Sequence, residues 1–134
     1  MKTRKTLKGA RSYKSVSVDP STLPQPASVE EFLVRGMSFY ARKDYVKAAE
    51  DFNKAIQIEP SNKDAYYGLG MVYKAATKKE EAVQAFQQVI AILAANPTEA
   101  HDRREMLRRL ALGHINELNS GDWNLEKEIW KRIP

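Results

Sequence analysis

Residues 29–62 read VEEFLVRGMSFYARKDYVKAAEDFNKAIQIEPSN, and residues 63–96 read KDAYYGLGMVYKAATKKEEAVQAFQQVIAILAAN. Laid over each other at an offset of 34 residues, the two stretches keep residue type at six places. Phe32 falls on Tyr66, Gly36 on Gly70 and Phe39 on Tyr73. Ala48 falls on Ala82, Phe52 on Phe86 and Ala55 on Val89. Small residues let two helices approach closely. An aromatic four places after Ala48 or Ala82 lies on the same helix face and fills the space between hairpins. One helix pair cannot bury both of its apolar faces, so such a unit must stack on another.

The local signals agree with helices. Ser28-Val29-Glu30-Glu31 and Thr77-Lys78-Lys79-Glu80 each place a hydroxyl three residues before a carboxylate, the pattern of a capping box, and Ser61-Asn62-Lys63-Asp64 is a weaker version. Apolar residues then recur at helical spacing, as in Phe32, Met37, Phe39 and Tyr40, and again in Ala48, Phe52, Ala55 and Ile56. No segment alternates long enough for a strand. The spacing predicts helices near 29–42, 45–58, 63–76, 79–94, 99–119 and 123–132, with short antiparallel connections.

The pattern resembles the tetratricopeptide repeat, a helix–turn–helix unit of 34 residues. Phe32, Gly36, Phe39, Ala48, Phe52, Ala55 and Pro60 carry the resemblance in the first unit. Tyr66, Leu69, Gly70, Tyr73, Ala82 and Phe86 carry it in the second. Two departures stand out. Arg35 occupies the place of Leu69, and the second unit closes late, at Pro97, which predicts that the helix from residue 79 runs about one turn long. Residues 98–134 match weakly. Leu112-Gly113 mirrors Leu69-Gly70, and Trp130 falls where Phe52 does, but Glu126 replaces the small Ala48. The resemblance implies an all-α short solenoid of two clear helical hairpins and a degenerate capping pair, with Trp123 and Trp130 closing the core.

Composition sets the frame for function. The chain has 134 residues, 43% hydrophobic and 29% charged, and no cysteine. Absent cysteine removes disulfides, thiolate metal sites and cysteine nucleophiles, and suits the cytoplasm or another reducing compartment. The longest apolar stretch, Val89 to Ala95, is too short for a membrane span. Residues 1–28 hold six basic groups (Lys2, Arg4, Lys5, Lys8, Arg11 and Lys14) against Asp19 alone, whereas residues 29–134 hold sixteen of each sign. The organisation expected is a basic, disordered or extended tail over 1–28 and a neutral helical domain over 29–134. The tail has three readings: contact with nucleic acid, ribosome or an anionic surface; an organelle-targeting peptide; or a solvated arm.

The resemblance also implies where a partner would bind. The first helix of each unit lines the concave side of such a stack. On this chain those positions include Glu30, Leu33, Met37, Tyr40 and Ala41, then Asp64, Tyr67, Met71, Lys74 and Ala75. Leu33, Met37, Tyr40, Tyr67, Met71 and Lys74 are the candidate groove for an apolar or aromatic peptide or a partner helix. The competing reading is that they pack against the third helix pair or the chain's own tail. Some family members grip acidic peptide tails with basic residues here, but the matching positions hold Leu33, Met37 and Gly68.

Chemistry has little support. His101 and His114 lie thirteen residues apart on one predicted helix, about 20 Å along its axis, too far to share a metal or a proton. Arg103, Arg104, Arg108 and Arg109 spread around that helix, as a solvated face or as a basic patch for an acidic partner, with Glu105 and Arg109 one turn apart. No phosphate loop, zinc-protease or nucleophile-elbow pattern occurs. The sequence therefore points to a non-catalytic adaptor or assembly factor without a cofactor. The alternative is a nucleic-acid- or ribosome-associated protein held by its tail, and an exposed apolar end leaves a homodimer open.

Overall fold

The computed structural model describes residues 19–20, 24–96 and 100–123, and the long regular elements among them are all α-helices. These are α1 (Val29–Ala41), α2 (Tyr45–Ile58), α3 (Lys63–Ala75), α4 (Lys79–Ala95) and α5 (His101–Ser120). Each helix packs on the next, and α1 also touches α3. Two hairpins, α1–α2 and α3–α4, are therefore stacked, and α5 leans on α4. The helix expected over 123–132 lies outside the described residues, apart from Trp123. α4 has 17 residues against 14 in α2, so the second unit is extended as its late proline implies.

The helix starts differ in their caps. Ser28 Oγ accepts the Glu31 N–H at 3.3 Å, and the Glu31 carboxylate accepts the Ala27 N–H at 3.0 Å. Asp44 caps α2 through the Lys47 N–H at 3.3 Å. In front of α3 the cap is Asn62, not Ser61, with Asn62 Oδ1 accepting the Ala65 N–H at 2.8 Å. The capping box expected at Thr77 is absent. Thr77 sits in the left-handed region (φ 60°), its hydroxyl donates to the Ala76 carbonyl at 2.6 Å, and α4 starts behind Lys78 without a side-chain cap. The repeat explains this: Thr77 is the counterpart of Lys43, also left-handed at φ 64°. Both turns close by the same long bond, Asp44 N–H to Phe39 O at 2.9 Å and Lys78 N–H to Tyr73 O at 2.8 Å.

The core is built where the two units share an aromatic ring. Phe52 and Phe86 are fully buried. A Cβ built on Gly36 would stand 3.1 Å from the Phe52 ring, and one on Gly68 only 2.6 Å from it. Phe52 is thus clasped between α1 of its own unit and α3 of the next. Gly70 gives Phe86 the same clearance, at 2.8 Å. In the third unit a Cβ on Gly113 would overlap the Trp123 ring, so Trp123 is the aromatic that closes on α5. Val34, the counterpart of Gly68, is 61% exposed.

Arg35, out of place where its counterpart Leu69 is apolar, is explained by Asp51. The guanidinium binds the carboxylate at two points, Nε to Oδ2 at 2.8 Å and Nη2 to Oδ1 at 2.7 Å. Asp51 is 2% exposed. These bonds hold the Arg35 guanidinium above its ordinary pKa, against the opposing effect of burial. The ring centroids of Phe32 and Phe39 lie 6.0 and 5.8 Å from the guanidinium carbon. Thirty-four residues on, the same pair of positions holds Leu69 and Ala85, packed in one apolar cluster.

Two stability tests follow from these contacts. Gly68→Ala gains helix propensity but drives a methyl into a rigid ring, so a net loss of about 1–3 kcal/mol is expected in denaturant unfolding. Gly36→Ala, with more clearance, loses less. Arg35→Ala strands a buried carboxylate and costs about 3–5 kcal/mol, whereas Arg35→Leu combined with Asp51→Ala copies the second unit and stays within about 1 kcal/mol of the parent.

Candidate partner-binding groove

The face shared by α1, α3 and α5 carries the residues of interest, and it changes character along its length. Leu33 is half-buried against the Phe52 cluster, and Met37 is 52% exposed. Tyr40 is half-buried, with its ring 6.1 Å from that of Tyr45. Tyr67 and Met71 belong to the next cluster, around Phe86. Tyr67 stands edge-on to Phe86 at 5.6 Å. Burial pushes the Tyr67 phenol above its ordinary pKa, and the nearby Tyr40 phenol adds to the effect, so this face couples the two units. Lys74 is partly buried and forms an ion pair with Glu117 of α5.

His114 joins this end of the face together. Its Nδ1 lies 3.0 Å from Lys74 Nζ, and its Nε2 lies 3.1 Å from Tyr67 Oη. An ammonium can only donate, so Nδ1 accepts and the neutral ring carries its proton on Nε2. That proton is donated to Tyr67 Oη, which leaves the Tyr67 hydroxyl proton for an acceptor in the groove. The imidazole is stacked on Phe86 at 4.7 Å and 12°, and meets Trp123 edge-on at 4.7 Å. His114 is 7% exposed.

The electrostatics follow from this packing. Burial first, and the Lys74 charge second, lower the His114 pKa to about 4, with Glu117 pulling weakly the other way. The hydrogen bond from Lys74 and its charge hold the Glu117 carboxyl below its ordinary range. The imidazole therefore stays neutral at physiological pH and acts as an acceptor for Lys74.

His114 and Glu117 were absent from the residues expected to line the groove. The signal was in the sequence. Leu112-Gly113 mirrors Leu69-Gly70, which puts His114 on Met71 and Met37, Glu117 on Lys74 and Tyr40, and Leu110 on Tyr67 and Leu33. The face thus runs from Leu33, Met37 and Tyr40, through Tyr67, Met71 and Lys74, to Leu110, His114 and Glu117. It is apolar at α1 and carries the Lys74–Glu117 ion pair where α3 meets α5.

Other expectations fall elsewhere. Lys2, Arg4, Lys5, Lys8, Arg11 and Lys14 lie outside the described residues, as does Trp130. Arg103 and Arg109 are exposed, and Glu105 lies 3.5 Å from Arg108 and 3.8 Å from Arg109. Among the described residues, no three His, Cys, Asp or Glu gather closely enough to hold a metal ion, and no helix is long and apolar enough to cross a membrane.

Comparison with known proteins places these helices. Residues 36–76 match a family model described as TPR repeat, and residues 64–92 match one described as Tetratricopeptide repeat. A relative from Saccharomyces cerevisiae, small glutamine-rich tetratricopeptide repeat-containing protein 2, is 35% identical over 78 residues. The match covers 58% of this chain and 22% of that protein, so the chain spans about a fifth of the relative's length. No solved structure matches.

The His114 pKa gives a pH test. The unfolded ring titrates near its ordinary value of 6.5 and the folded ring near 4, so the unfolded state binds the extra proton between these values. The contribution is whole above about pH 6.5 and is lost as pH falls towards 4. Between pH 7.5 and 4.5 the parent should lose about 1–3 kcal/mol more stability than a His114→Gln variant, as read from paired unfolding curves.

Proposed function

We propose that the chain, whose residues 36–92 match tetratricopeptide-repeat models and so support a scaffold for protein–protein interaction, is a non-catalytic adaptor or assembly factor whose α1–α3–α5 face takes a partner peptide or helix. The observation that carries this reading is Met37. It is 52% exposed in the middle of a face whose neighbours, Leu33, Tyr40 and Met71, are apolar or aromatic and only half-buried. Met and Tyr adapt to apolar partners at low cost, the one through its flexible thioether and the other through a ring with a polar tip.

The gradient along the face refines the partner. An apolar or aromatic segment fits over Leu33, Met37 and Tyr40. A polar group that accepts a hydrogen bond fits beside Tyr67, close to Lys74. The partner is thus an amphipathic peptide or helix, apolar at one end, rather than an acidic tail. The yeast relative is named for its glutamine-rich and repeat character, and that name supplies no partner for this chain.

A second reading rests on charge. All of the net +5 resides in residues 1–28, so nucleic acid or an anionic surface is the alternative target of the chain. Salt separates the two readings, because phosphate contacts weaken steeply with ionic strength and apolar contacts do not.

The test is affinity capture with the full chain and with Met37→Glu plus Met71→Glu, at low and high salt. The double variant should keep its helical circular dichroism and lose the partner, and capture by the parent should survive high salt. Equal capture by both proteins would sink the groove. Capture that vanishes with salt or nuclease would favour the tail.

A further inference from the structure

The two units share their aromatic positions but differ in what lies between them, and the difference defines a second site on the opposite side of α3. In the first unit the Arg35 guanidinium lies between Phe32 and Phe39 and pairs with Asp51. In the second unit the aromatic walls are Tyr66 and Tyr73, both half-buried. The long arginine is replaced by Leu69, and Asp51 by Ala85. A groove of about 440 Å³ lies at these counterparts, between α3 and α4, with Leu69 and Ala85 in its lining. The first unit fills its equivalent place with a guanidinium of its own, and the second leaves it open.

The rim also changes charge, from two lysines to one carboxylate and one neutral amide. Lys47 of the first unit, which stands 5.6 Å from the Phe39 ring, corresponds to Glu81, and Lys54, 5.9 Å from the Phe32 ring, corresponds to Gln88. Glu81 and Gln88 both line the groove and are exposed. Glu81 is one turn before Ala85 on the same face of α4, so its carboxylate reaches over the small floor residue. Lys78 holds its ammonium 6.0 Å from the Tyr73 ring, outside the lining, so this wall already attracts a cation.

We propose that the groove between α3 and α4 receives an arginine side chain from a basic segment of a partner protein, held between Tyr66 and Tyr73 and paired with Glu81. The first unit is the template for the geometry: a guanidinium between two rings with a carboxylate on α2. The floor of Leu69 and Ala85 accommodates the methylene stem, and the planar guanidinium suits aromatic walls better than an ammonium does. Glu81 supplies from the rim the negative charge that Asp51 supplies from the floor. The site is separate from the α1–α3–α5 face and does not depend on what binds there.

The experiment titrates the full chain with the peptide acetyl-Gly-Arg-Gly-amide and with its citrulline counterpart, which has nearly the same shape without the charge. The readout is the NMR signals of the Leu69 and Ala85 methyl groups and the Tyr66 and Tyr73 rings. The arginine peptide should shift these signals saturably, and citrulline should bind at least about tenfold more weakly, the range of a desolvated cation–π and charge contact. Glu81→Gln, at an exposed position, should weaken binding by about threefold. Leu69→Arg with Ala85→Asp rebuilds the first unit's internal pair and should abolish binding while helical circular dichroism is kept. Equal shifts with citrulline, or shifts confined to the α1–α3–α5 face, would overturn the proposal. So would an unaltered response in Glu81→Gln. If Arg4→Gln with Arg11→Gln moves the same signals before any peptide is added, the occupant is the chain's own N-terminal segment, and the partner assignment is wrong.

Discussion

The structure depends on one close approach: the ring of Phe52 held between the backbones of α1 and α3. Only glycine clears that ring on both sides, at Gly36 and Gly68. A side chain at Gly68 would force the ring or the helix away, and one at Gly36 would crowd the same ring less severely. Phe86 under Gly70 and Trp123 against Gly113 carry the same device towards the C-terminal end. The rest of the core, from Leu69 and Val72 to Val89 and Leu93, fills in around rings that have already fixed the spacing.

This constraint explains why so much of the fold was legible. A clearance that recurs in space must recur in sequence, and Gly36 to Gly70 and Phe52 to Phe86 give its period directly. Where the reading failed, a local rule had been trusted over that period. Thr77 followed by Glu80 looks like a cap, but its counterpart Lys43 stands in a left-handed turn and Thr77 follows it. Ser61 and Asn62 are both plausible caps by residue type, and only the bond to Ala65 decides between them. Arg35 stands out in the sequence as an anomaly, but an i, i+16 partner on the next helix has no local signal. Asp51, at the counterpart of apolar Ala85, was the missing half.

The groove was less legible than the fold, and for a physical reason. A pattern of small and aromatic residues reports packing, which is repeated, whereas a binding face is free to differ from one unit to the next. Met37 and Met71 repeat one thioether at this position in the first two units, and His114 replaces it with an imidazole in the third. His114 reads as a core residue by burial, yet its two nitrogens serve the face through Tyr67 and Lys74. Sequence alone shows neither the tautomer nor the neutral state that lets it do so. The same freedom separates the two hairpins on their other side, where one closes its aromatic cleft with Arg35 and Asp51 and the next leaves a groove lined by Tyr66 and Tyr73.

Phe52 also bears on how the chain comes undone. It belongs covalently to the first hairpin and sterically to the second, so neither can open without exposing it. The boundary visible in the sequence, at the turn near Pro60, is therefore not a line along which the protein can be divided. Cutting there would leave one fragment with an uncovered aromatic and the other with an empty glycine saddle. The repeats count as two in sequence but melt as one cooperative block, and a protease probing the native state would find its openings at the ends of the stack rather than between the units.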